Sequence, residues 1–75
     1  MKKIYSRPTE RGAVLLTDLD GDSIEISGQD IKLADLQPDR VDKLYRTKAL
    51  PHFCKDGGEL EIVSMTTGKV IWRSK

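Results

Sequence analysis

Three groups of residues in this chain have types and spacings that could do chemistry. The first is Asp18-Leu19-Asp20-Gly21-Asp22-Ser23. Aspartates at alternate positions can turn carboxylate oxygens toward one cation, as the early ligands of a calcium loop do. Ser23 stands where such a loop needs Gly for its sharp turn, and Gln29 where a bidentate Glu would close the site. The flanks are strand-like rather than helical. A solvated acidic turn with no bound metal is therefore expected.

The second group, His52-Phe53-Cys54, gathers the only His, Phe and Cys of the chain. A structural zinc needs four ligands, and two are on offer. A thiolate beside an imidazole is a workable nucleophile, but no Gly-rich oxyanion turn follows and no orienting carboxylate stands at a fitting spacing. Phe53 and Cys54 are expected to fill the core behind a helix, with His52 at a loop edge. No phosphate-cradling pattern occurs. A chain of 75 residues leaves little room for a pocket of ordinary volume. No catalytic residue and no cofactor are assigned, and the chain is read as a non-enzyme.

The third group is basic: Lys43, Arg46 and Lys48, with Lys55 and Arg73 if the last strand packs alongside. Four aromatic side chains, Tyr5, Tyr45, Phe53 and Trp72, are available for stacking on bases. Against a nucleic-acid partner stands an isoelectric point near 7.9, where such domains are usually strongly basic.

The elements that must position these groups follow from turn chemistry and periodicity. Asp20-Gly21 between two aliphatic runs predicts a hairpin, because Gly tolerates the positive φ of a tight turn. Centred there, it pairs Thr17 with Ile24 and Leu15 with Ile26. A second turn with Gly28 at a positive φ extends the meander, pairing Ile26 with Ile31, Glu25 with Lys32 and Ile24 with Leu33. The rival for residues 30–36 is a short helix capped by Asp30; the meander is preferred. Pro38 suits a first helical position, and Val41, Leu44, Tyr45 and Lys48 keep helical spacing. Leu36 and Val41 fit a hydrophobic staple, and Pro51 should stop the helix by Leu50.

Glu59 to Arg73 reads as another hairpin, with Gly68 in a bulged turn and Ile62, Val63 and Glu61 opposite Trp72, Ile71 and Arg73. Ile62, Val70 and Trp72 make one apolar face. Val63, Met65 and Ile71 make the other face partly apolar, so cover on both sides is expected. Residues 2–7 add a strand. The fold expected is one α+β domain over residues 1–75, an antiparallel sheet of four to six strands against one helix. The alternative is a small, partly open barrel of the OB type.

The net charge of +1 conceals a basic, acidic, basic order: +3 over residues 1–11, −6 over 12–42 and +4 over 43–75. One Cys cannot form an internal disulfide, and no run approaches the roughly 18 apolar residues of a spanning helix. Those features point to a cytoplasmic location without membrane contact. The function expected is a small protein-interaction module, an accessory regulator or inhibitor that covers a larger partner's surface. Its candidate contacts are Asp18, Asp20, Asp22 and Glu25. The alternatives are nucleic-acid binding through Lys43, Arg46, Lys48, Lys55 and Arg73, and a homodimer formed through unprotected strand edges.

Overall fold

A computed structural model describes all residues, 1–75. The chain is α+β, as expected, but its sheet is mixed. Five strands lie in the order β3-β2-β1-β4-β5, with β1 at Lys2–Pro8, β2 at Val14–Thr17, β3 at Ser23–Ile26, β4 at Leu60–Ser64 and β5 at Val70–Arg73. β1 runs antiparallel to β2 and parallel to β4, with Ile4 opposite Ile62. The outer strands β3 and β5 do not meet, so the sheet is open and the barrel alternative falls.

Residues 30–36 are helical, which corrects the meander. Helix α1 spans Gly28–Leu36, and the Ser27 hydroxyl caps it by accepting from the Gln29 N–H at 3.2 Å. The expected pairs of Ile31, Lys32 and Leu33 with β3 do not form. Ile31 instead packs against the core, and Ala34 lies within it. Gly28 has no positive φ. Its role is close approach, since a Cβ there would fall on the Gly12 carbonyl oxygen of the β1–β2 loop.

Gln37, held extended ahead of Pro38, separates α1 from α2, Pro38–Leu44. Leu36 is exposed, so the expected staple to Val41 is absent. The helix also continues past its predicted stop. Tyr45–Ala49 widens into a π-helical turn, with the Leu50 N–H donating to the Tyr45 carbonyl, and α3 follows at Leu50–Phe53. A proline ordinarily clashes with the carbonyl four residues back. The wider turn directly ahead of Pro51 relaxes that conflict.

All helices pack on one side of the sheet. Ile4, Leu16, Ile26, Leu60 and Ile62 are fully enclosed there against Ala34, Leu44, Tyr45, Ala49, Phe53 and Cys54. The first hairpin reaches this core in a register one residue from the expected one: Thr17 opposes Ser23 and Leu16 opposes Ile24. A one-residue slip exchanges the faces of a strand. Leu16 and Val14 therefore join Ile24 and Ile26 in the core in place of Leu15 and Thr17.

Candidate functional site

The register slip has a visible cause in Asp18. Its Oδ1 accepts from the N–H groups of Asp20 and Asp22, each at 2.9 Å, and its own N–H donates to the Asp22 carbonyl. That side-chain-to-backbone closure makes a five-residue loop, Asp18–Asp22, in place of a two-residue turn. The other oxygen, Oδ2, lies 3.3 Å from the Lys2 ammonium, which also donates to the Phe53 carbonyl at 3.1 Å. Burial raises the Asp18 pKa, but the Asp22 N–H, Lys2 and the Asp20 N–H together outweigh it and hold the carboxyl below its usual range. Asp18 is thus buried and fully engaged within the fold, unlike the exposed Asp20, Asp22 and Glu25.

Folding brings the acidic loop beside the His52-Phe53-Cys54 segment. Together they border an open depression of about 800 Å³. His52 Nε2 lies 3.0 Å from Asp22 Oδ2 but lacks hydrogen-bond geometry. Phe53 and Cys54 enter the core as expected, though from the end of a helix. Burial pushes the Cys54 thiol up; the nearby Lys2 opposes this and Asp56 adds to it. The thiol is therefore held protonated, the inert form. No group of three His, Cys, Asp or Glu side chains converges as a metal site would require.

The five basic candidates do not share one surface. Lys43 and Lys48 border a groove with Asp30 and Asp39, and Lys48 pairs with Asp30 at 2.9 Å. Arg46 bonds Asp42 at 2.9 Å and the Ser74 carbonyl at 2.8 Å, with its guanidinium 5.4 Å from the Trp72 ring centre. Trp72 in turn donates to Asp42 at 3.2 Å. Arg46 lowers the Asp42 pKa, burial opposes that, and the Trp72 bond adds to the lowering. Lys55 lies at the acidic depression, and Arg73 is on the opposite side of the sheet, paired with Glu61. The acidic and basic segments of the chain are largely interleaved by these pairs.

The surface that sequence reasoning passed over is the side of the sheet without helices. Strand pairing places Thr17, Tyr5, Val63 and Val70 in one row across it. A bulge sets this row's outer end: between Ile62 and Val63 the register shifts, so that Val70 and Ile71 together stand against Val63. Val70 therefore leaves the face of Ile62 and Trp72 to which it was assigned. Val63 is buried yet stands apart from the helix-covered core, while Val70 and Ile71 are 42% and 46% exposed. Beside the row lie Lys3, Glu61 and Arg73. Glu61 is only 14% exposed beneath Lys3 at 3.8 Å and Arg73 at 3.1 Å, so the two cations form the outer surface. On the row's other side is Arg7, exposed and without an ion pair, next to Leu15 and then Glu25. The sequence signal for this face was the apolar trio Val63, Met65 and Ile71, for which cover was expected and none exists.

Comparison of the chain with protein-family models, with curated proteins and with solved structures finds no match.

Proposed function

We propose that the chain is a non-enzymatic protein-interaction module that lays the uncovered face of its sheet on a larger partner. One observation carries the reading. A sheet face left to solvent ordinarily carries polar residues in alternation with the core, whereas this one carries an apolar row ending in exposed Val70 and Ile71, with Met65 58% exposed nearby. Contiguous exposed apolar surface marks interaction sites more often than solvated faces. The acidic loop supports docking less well, because Asp18 is occupied within the turn.

Nucleic-acid binding has less support. Three of its five cations are paired with carboxylates, and Tyr5 is the one aromatic residue in the open face's strand rows. Edge pairing between copies also has less support. β3 and β5 are four residues each, β5 is broken by the bulge, Arg73 ends it, and Lys69 and Lys75 lie on either side of it. Short, bulged and charged edges resist pairing.

The test is affinity capture with the wild-type chain, Val70→Asp, Ile71→Asp and, as a control on α1, Lys32→Ala. A protein recovered in stoichiometric amount by wild type and control, and lost with both Asp variants, is expected. A partner retained by those variants but lost on Asp20→Ala with Asp22→Ala moves the site to the acidic loop. Recovery of nucleic acid alone refutes the module reading.

A further inference from the structure

We infer that the element received by the open face is acidic: an apolar stripe of another protein with carboxylates on both flanks. This rests on the docking reading above and specifies the partner's chemistry. Rows of side chains on one sheet face are separated by two residues of strand, roughly 7 Å. The apolar row of Tyr5, Val63 and Val70 therefore has cations at about that distance on either side, Lys3 and Arg73 on one and Arg7 on the other. A helix is about 10 Å across, so one apolar stripe seated on the row brings its flanking side chains over both charged rows.

The charges that such an element meets are positive. Glu61 lies beneath Lys3 and Arg73, whose side chains are 50% and 59% exposed. Arg7 has no carboxylate to satisfy it within the chain. The acid remaining on this face, Glu25, is on the edge strand β3, beyond Leu15.

The same arrangement disfavours a second copy as occupant. β1 is the middle strand and carries Lys3 and Arg7 on either side of Tyr5. Two copies packed face to face about that strand would bring these cations against one another. Like charges brought together at an interface exclude the wrong partner.

Two synthetic helical peptides with the same Leu stripe, one flanked by Glu and one by Lys, supply the probe. Backbone amide shifts of the folded protein report where each binds. The Glu-flanked peptide is expected to perturb Tyr5, Val63, Val70 and Ile71, and to bind at least about tenfold more tightly than its Lys-flanked counterpart. That preference should shrink at about 0.5 M salt, where screening is short-ranged. It should also shrink in Arg7→Glu, whose side chain makes no ion pair or hydrogen bond within the fold, and in Lys3→Glu, provided in each case that the melting curve stays cooperative.

Equal binding of both peptides, binding of neither, or a Lys-flanked preference overturns the inference, as does a shift map centred elsewhere. Tighter binding of a single-stranded oligonucleotide to the same residues overturns it in favour of nucleic acid. A captured partner lost with Val70→Asp but indifferent to salt and to Arg7→Glu would leave the docking reading standing and remove only the acidic requirement.

Discussion

The two faces of the sheet are built from alternate residues of the same strands, and they are covered very differently. On one, Ile4, Leu16, Ile26, Leu60 and Ile62 are completely enclosed under the helices. On the other, Val63 is enclosed by its neighbours alone, and Val70 and Ile71 stay half open to water. The difference separates the part that holds so small a domain together from the part left open to solvent. A chain of this length buries only roughly 60% of its unfolded surface, so the few fully enclosed residues of the covered face carry most of the stability.

That division predicts a large contrast between neighbours. Ile62→Ala, on the covered face, should lower the unfolding free energy by about 3 kcal/mol, the usual range for an enclosed isoleucine. Ile71→Ser, on the open face, should change it by no more than about 0.5 kcal/mol. Urea denaturation of the two variants measures both, and comparable losses would break the division of labour.

A smaller effect sharpens the comparison from the helix side. Gly28→Ala should cost about 2 kcal/mol, because the new Cβ must push α1 away from the Gly12 carbonyl. The loss should appear in the melting temperature, with the amide signals of the β4–β5 hairpin unchanged.

A further effect, smaller than those at Ile62 and Gly28, lies at the acidic loop and depends on pH. The folded Asp18 carboxyl titrates below its ordinary value of 3.8. The stability it contributes is therefore complete above that value and is lost as pH falls through it toward the folded one. Asp18→Asn should melt several degrees below wild type at neutral pH. The gap should narrow on acidification below about pH 4. A constant gap would mean that the loop does not depend on the charge of Asp18.

Much of the fold was legible wherever a local signal specified it. Gly68 adopts a positive φ, and Glu61–Arg73 and Ile62–Trp72 pair as expected. Pro38 begins its helix and Val41, Leu44 and Tyr45 turn toward the core. Misreadings arose where two local devices competed. Asp-Gly suggested a two-residue turn, but the Asp18 side chain captured two backbone N–H groups and lengthened the loop. Residues 27–30 suited a turn, the rival helix was expected to start from Asp30 whereas Ser27 caps it, and the closeness of Gly12 is a distant contact that composition does not announce. The parallel pairing of β1 with β4 has no turn to betray it. Neither does the bulge, and without the bulge the open face could not be drawn.

The central place of β1 has a consequence for how the protein is made. Its residues leave the ribosome before those of the other four strands of this sheet, and β2 and β3 can join it as soon as they follow. The other side of β1 must wait for β4, more than fifty residues later, since Ile4 is matched to Ile62. Until then the half-built sheet exposes a raw edge in what will become its middle, and closing that long loop is a slow step. Three strands alone are therefore a hazard during synthesis, open to pairing with a neighbouring nascent chain. Arrival of the fourth strand ends that exposure.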